Sequence, residues 1–287
     1  MNSSKTNVAK TSQARRPVRL THDGRFKLSP NWIPGENAVA FSVHESPSEV
    51  TVMQLDLADG SQKPLLGSNN MSQLDIAFSA NGLLRAYSEP VGGATLGLVI
   101  RDRQDTIRRT FVPSGGTRVT VRNPTFTPDG SRLLCTVSGG GQGLQIGAVN
   151  VEAKDFRLLT TSLGTNCWPD VSPDGQRIVF SSSREGTYDI FLMNIDGSEQ
   201  HRIAMSPARD IRPRWSPNGR KIAFTSARDG RPEIYVMDTG GTNVARVTNH
   251  PERDDFPIWH PDGDKLVHIA ERNGCSDLYL TDLSDMR

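Results

Sequence analysis

One motif returns along this chain at almost constant spacing. It reads Trp-Pro-Asp-Val-Ser-Pro-Asp-Gly from Trp168, Arg-Pro-Arg-Trp-Ser-Pro-Asn-Gly from Arg212 and Phe-Pro-Ile-Trp-His-Pro-Asp-Gly from Phe256. A fixed period of this length marks a propeller or another repeat array, in which each unit buries its apolar face only against its neighbours. Numbered by the residue that closes the tight turn, the repeats fall at Glu36, Gly82, Gly130, Gly175, Gly219 and Gly263, at intervals of 46, 48, 45, 44 and 44. Six copies fill nearly the whole of the 287 residues.

Two apolar columns run through the repeats. Four residues before each mark stand Trp32, Phe78, Phe126, Val171, Trp215 and Trp259; five residues after it stand Phe41, Tyr87, Cys135, Phe180, Phe224 and His268. Large side chains at a fixed offset predict core positions that fill the gap between packed sheets. Within a repeat the pattern is four short strands, a to d. In the fifth, Pro213–Pro217 reads as strand a, Asn218-Gly219 as a tight turn, Lys221–Ser226 as strand b with Ile222 and Phe224 at period two, Glu233–Asp238 as strand c and Ala245–Thr248 as strand d.

The chain ends complement one another. The last repeat stops after its third strand, whereas Val18-Arg19-Leu20-Thr21 has the character of a fourth strand and lies at the right distance before Glu36. The expected architecture is therefore all-β: a six-bladed β-propeller with four-stranded blades, the last closed by the N-terminal strand, which removes two sheet edges. Residues 17–287 form this one domain. Residues 1–16, basic and without an acid, are expected to be a disordered tail.

The Ser-Pro-Asp-Gly turn, the Ser-Arg-x-Gly hairpin at Ser183–Gly186 and the strand Asp189–Asn194 together resemble the repeats of TolB-type six-bladed propellers. The likeness is strong over 160–283 and in register over 17–159. It implies a fold more than an activity, since related repeats occur in periplasmic binding proteins, in peptidase gating domains and in oligogalacturonate lyases. No separate α/β domain is expected ahead of the propeller, in contrast to the arrangement that the resemblance to TolB-type proteins would imply.

Thirty-three basic and 32 acidic residues give a net charge of +1, which favours neither nucleic acid nor a membrane surface, and no apolar run approaches a membrane span. The first residues lack the apolar stretch of a secretory signal, so a cytoplasmic protein is expected, or a periplasmic one if the true start lies upstream. Three cysteines without a Cys-x-x-Cys pair form no disulfide framework. Catalytic signatures are missing: there is no Gly-x-Ser-x-Gly elbow, no His-Glu-x-x-His pair and no phosphate loop. The glycine run from Gly139 to Gly143 reads as a flexible b–c hairpin. Arg184 with Asp189, Arg228 with Glu233 and Arg272 with Asp277, each five apart, read as ion pairs across hairpins.

The loops from strand d to the next strand a share a propeller face with the b–c hairpins and surround the channel mouth. They bring there Asn166 and Trp168; Arg209, Asp210 and Arg212; and Arg253, Asp254 and Asp255; the third repeat adds Arg122 and Asn123. We expect Asp210, Arg212, Asp254, Asp255, Arg253, Asn166, Trp168 and Arg122 to contact a ligand, with Asp210 and Asp254 as paired acceptors. The competing expectation is that the short polar side chains cap their own loops. His268 and His260 fall in structural slots, and His201 opens a strand d. His22 and His250, with Asp23, are candidates for a divalent cation, since imidazole and carboxylate suit such ions; no cofactor is otherwise expected. The leading expectation is a monomeric, non-enzymatic scaffold that binds a protein segment or other polar ligand at its channel face. The alternatives are a glycan-active lyase or hydrolase working on an oligosaccharide at the same mouth, and a propeller that gates a separate peptidase.

Overall fold

Turn chemistry sets the strand boundaries. In the fourth repeat the Gly175 N–H donates to the Ser172 carbonyl (2.8 Å), the Arg177 N–H to Ser172 Oγ (2.9 Å) and the Gln176 N–H to Asp174 Oδ1 (3.0 Å). Gly175 has φ +72°, the left-handed conformation such a turn demands and glycine adopts without strain. In the sixth repeat His260 stands in for the serine. Its Nδ1 accepts the Asp262 N–H at 3.2 Å, so this histidine serves the turn, as its slot indicated.

The computed structural model describes residues 16–67, 71–114, 119–138 and 143–286. The basic tail before Arg16 and the glycine run Gly139–Gln142 lie outside the described residues. Over the rest, the chain is an all-β propeller whose described helix is one 3-10 turn at Ser284–Met286. Repeat one supplies the strands Lys27–Trp32, Ala38–Ser46, Glu49–Asp56 and Gln62–Pro64, paired in that order. Repeats four and five form equivalent four-stranded sheets beginning at Asn166–Val171 and Asp210–Trp215. The strands of repeats two and three join into one eight-stranded sheet through a single parallel bridge, Thr120 to Leu96. First strands of successive repeats touch in cyclic order, and Asp254–Trp259 returns to Lys27–Trp32.

The N-terminal strand Val18–Arg19 pairs antiparallel with Cys275–Asp282, with Val18 opposite Leu280 and Arg19 opposite Tyr279. Beyond it, the Leu20 N–H donates to the Leu278 carbonyl (2.8 Å). A buried ionic knot secures the join. Lys27, whose side chain has no exposed surface, lies 3.2 Å from Asp277 and also meets Asp23 and the Ser276 carbonyl (2.9 Å). Asp277 in turn accepts from Thr21 Oγ1 (2.7 Å) and from Arg19.

Apolar clusters fill the space between consecutive repeats all the way round. Val39, Phe41 and Val43 of repeat one meet Ile258, Val267 and Ile269 of repeat six, and Trp259 packs on Ile234 and Val236 of repeat five. The column after the mark is interior throughout, and the column before it is buried except at Trp32 and Phe78, which are half-buried. Phe41, Phe180, Phe224 and Cys135 are fully buried, and Trp215 and Trp259 are 6% and 7% exposed.

His268 occupies this aromatic column and has no exposed surface. Its Nε2 meets Thr281 Oγ1 at 3.0 Å, while its Nδ1 has no hydrogen-bond partner among the described residues. Burial lowers its pKa from 6.5 to about 4, so the ring is neutral in the folded protein. A depressed folded pKa means that the unfolded chain binds the extra proton between pH 6.5 and 4. Stability is therefore full above pH 6.5 and declines as the pH falls through that window, by at most about 3 kcal/mol. His268→Phe, which restores the residue of repeats one, four and five, should raise the melting temperature at pH 5 much more than at pH 7.5. Melting curves of the two proteins at both pH values test this; an equal shift at both would remove His268 as the source.

Candidate functional site at the channel mouth

Strand a is longer than the sequence suggested. In the fifth repeat it begins at Asp210 and not at Pro213, so Asp210 and Arg212 are strand residues; Asn166 and Trp168 lie in Asn166–Val171, and Asp254 and Asp255 in Asp254–Trp259. These residues looked loop-like because every first strand carries a β-bulge that breaks the alternation. The register slips between Leu28 and Asn31, Leu74 and Ala77, Arg122 and Thr125, Cys167 and Asp170, Ile211 and Arg214, and Asp255 and Ile258. Proline follows the bulged residue in five of the six, where no ladder donor is needed.

At the bulge stand Ser29, Asp75, Asn123, Trp168, Arg212 and Phe256, all with φ between 49° and 57°. Non-glycine residues in this region cost about 1–2 kcal/mol each, so neighbouring contacts must hold them. Hydroxyls from the preceding repeat do so. The Trp168 N–H donates to Thr136 Oγ1 (3.2 Å) and the Arg212 N–H to Ser181 Oγ (3.1 Å); the Phe256 N–H donates to Asp255 Oδ1 (2.8 Å), which Thr225 also holds.

The bulged side chains gather around the axis in two halves. On the polar side, Ser29 donates to Asp75 Oδ1 (2.6 Å) and Asp75 also pairs with Arg122. Burial pushes the Asp75 carboxyl up, but Arg122 and the hydrogen bonds outweigh it and hold it below the usual range. On the other side, the Arg212 guanidinium sits 4.6 Å from the Trp168 ring centre and 3.9 Å from that of Phe256, a cation held between two aromatic faces. Ser29, Asn123, Trp168, Arg212 and Phe256 line one shared cavity.

Asp255 ties this ring to the mouth. It receives Arg212 Nη1 on both oxygens (3.0 and 2.9 Å) and also pairs with Arg253. Burial raises its pKa, yet the two guanidiniums outweigh that effect and keep it ionised. Asp210 and Asp254 stand differently. Both are fully buried, Asp210 beneath Arg228 (2.8 Å) and Asp254 beneath Arg272 (2.6 Å). Asn166 takes the equivalent place beneath Arg184 (2.7 Å). The hairpin arginines thus reach strand a, eighteen residues back, and not the strand c acids expected from five-residue spacing. Those acids meet strand d: Asp189 pairs with Arg202 (3.1 Å), Glu233 with Arg246 (3.0 Å) and Asp277 with Arg19. The capping expectation is also replaced, since Asn166, Asp210 and Asp254 anchor hairpins across the sheet.

The cation candidates are placed apart in role. Asp23 is committed to Arg25 and Lys27, and His250 Nδ1 accepts the Glu252 N–H (3.1 Å). Among the described residues no group of three His, Cys, Asp or Glu side chains is arranged to hold a metal ion. Sequence reasoning missed Ser29, Asp75 and Phe256 as axial residues. The signal was a column seven residues before each mark, already visible in Trp168 and Arg212.

Comparison with known proteins agrees with this fold. An uncharacterised protein of Agrobacterium fabrum is 35% identical over 192 residues, 63% of this chain and 59% of that protein. The Tol-Pal system protein TolB of Anaeromyxobacter dehalogenans is 36% identical over 94 residues, 32% of this chain and 21% of that one. The chain thus spans less than two thirds of either relative. Among solved structures, a gluconolactonase from Xanthomonas campestris superposes with a TM-score of 0.72 at 14% identity, covering 96% of this chain and 93% of that one. A putative TolB from Agrobacterium tumefaciens gives 0.68 at 22% identity, over 78% and 81%. Likenesses at such identity establish the fold. No described helix is long and apolar enough to cross a membrane. The family model for the TolB β-propeller domain matches residues 59–213 and 206–287, and the chain belongs to that family.

Proposed function

We propose that this protein is a non-enzymatic scaffold that binds a protein segment at its channel face. Six blades, with the eight-stranded sheet counted as two, are the architecture we adopt; six sequence repeats and the apolar clusters between consecutive repeats support that count. The carrying observation is the make-up of the mouth. Its acids are already spent on arginines of the same chain, whereas aromatic and cationic groups face the axis. Acid–base catalysis needs a carboxylate or imidazole within hydrogen-bond reach of the substrate, whereas Asp210, Asp254 and Asp255 are covered from solvent and each is held by an arginine.

Around the mouth, the d-to-a loops expose apolar side chains: Phe26 (50%), Met71, Val112, Leu163 (82%) and Met205. Five such residues on one face suit a protein surface better than a sugar. Within this reading Arg212, Arg253 and Trp168 meet the partner, and Asp255 holds the two arginines in place. Asp210, Asp254 and Asn166 fix the neighbouring hairpins through Arg228, Arg272 and Arg184, and Arg122 pairs with Asp75. The relative named a Tol-Pal system protein fits a partner-binding role.

A photo-crosslinking amino acid placed at Leu163, on the mouth face, should give a discrete protein adduct in the native cells. The same group at Leu83, 57% exposed on the opposite face, should not. Adducts from 83 alone would overturn the assignment of the face. Turnover of an oligosaccharide or lactone by the purified protein, lost in Arg212→Ala, would establish the enzyme reading instead.

A further inference from the structure

Three arginines converge on one cavity at the mouth. Arg209, Arg212 and Arg253 line a space of about 220 Å³ together with Ile211, Pro232 and Asp255. Asp255 is the acid of that cavity, so the lining carries two positive charges in excess. Each guanidinium retains unused donors. Arg212 engages Asp255 through Nη1, which leaves Nη2 as its uncommitted donor, since its Nε is buried. Arg253 uses Nε and Nη2, and Arg209 is stacked over Tyr188 (5.7 Å) without an ion pair among the described residues. Burial lowers the Arg212 pKa and the charges of Arg253 and Arg209 lower it further, so like charges are close enough to repel. A protein that assembles such a cluster, and fixes one member between two aromatic rings, holds an electrostatic penalty that an anion relieves.

We propose that this cavity is a carboxylate subsite, and that the segment bound at the channel face presents an acidic side chain or its own C-terminal carboxylate to Arg209, Arg212 and Arg253. The inference rests on the channel-face reading and adds the ligand chemistry. Geometry favours a carboxylate because the planar guanidinium of Arg209, which makes no ion pair among the described residues, can take both oxygens while Arg212 and Arg253 each add a donor. The apolar loops outside the cavity favour a peptide as its bearer. Asp255 is the internal precedent: one carboxylate already sits in the cluster, held by two of its arginines.

The test is calorimetric titration of the whole protein with three capped hexapeptides, of glutamate, of glutamine and of glutamine with a free C-terminus, beside selection from a random synthetic heptapeptide library. The glutamate peptide or the free C-terminus should bind, weakening as salt rises, and should identify which carboxylate the site takes. The capped glutamine peptide should not bind. Arg209→Gln, which breaks no internal ion pair, should reduce binding at least about tenfold, the usual effect of losing one charge-assisted contact, with the melting temperature unchanged. The library should enrich Asp and Glu. Equal binding of all three peptides, or an unaltered affinity in Arg209→Gln, refutes the carboxylate subsite. Enrichment of neutral sequences that lose binding in Trp168→Ala would refute it while keeping the channel-face reading, and no enrichment at all would sink both.

Discussion

Removing residues 1–22 is expected to destabilise the propeller by roughly 5 kcal/mol or more, while removing residues 1–16 should leave its melting temperature nearly unchanged. The short deletion ends before the paired strand. The long one takes away Val18–Arg19, the Leu20 contacts and Thr21 together. Val18 is 59% exposed and contributes little; Leu20 is half-buried against the cluster shared by repeats one and six, where full burial of a leucine is worth about 1.5–3 kcal/mol. Polar losses add to this. Asp277 would lose Arg19 and Thr21 while remaining buried beside Lys27, and stripping partners from a buried charge is costly in itself. The deletion also opens the edge of Cys275–Asp282, a ready template for aggregation. Chemical denaturation of the two truncations, followed at equal protein concentration, gives the comparison. Matching midpoints would show that the ring does not depend on its N-terminal strand.

Much of this architecture could be read from spacing alone, because a propeller repeats its physics once per blade. A residue that fills the inter-sheet gap in one repeat must do so in the next, so columns such as Trp32–Trp215–Trp259 and Phe41–Phe180–Phe224 expose the core without any structure. The mouth was harder for two physical reasons. A bulge shifts the alternation by one residue, so Asp210-Ile-Arg and Asp254-Asp255 read as loop when they are strand. Their burial depends on arginines eighteen residues later in sequence, and that distance exceeds any hairpin rule. Arg228 shows how the error arises: it stands five residues before Glu233, but it bonds Asp210 and lies over Phe224 (5.3 Å) and Tyr235 (4.9 Å). Choosing the nearer acid ignored where strand a begins.

Trp215→Ala and Trp259→Ala are each expected to cost about 3–5 kcal/mol, the range for emptying a large aromatic core site, and Trp168→Ala clearly less. Trp215 packs with Val179, Leu192 and Phe224, and Arg177 covers its ring at 5.0 Å. Trp259 closes the seam between repeats five and six, and its Nε1 donates to the Arg214 carbonyl (3.0 Å), so its loss also strips a partner from a neighbouring strand. That added hydrogen bond should place Trp259→Ala at the upper end of the range. Trp215 Nε1 is buried without a partner, and removing it relieves a penalty that partly offsets the cavity. Trp168 sits instead on the bulge, half-buried, beside Arg212 and Tyr188. Its truncation leaves a wider channel and an arginine with one aromatic face in place of two, and no closed void in the core. Truncation also removes a bulky side chain from a backbone site that strains every L-residue, although alanine stays at positive φ and recovers little. Denaturation midpoints of the three variants should therefore fall in the order Trp168→Ala, Trp215→Ala, Trp259→Ala from most to least stable. Peptide affinity should fall mainly in the first. If all three lose the same stability, Trp168 belongs to the same packing layer as the other two and its place on the channel wall is wrong.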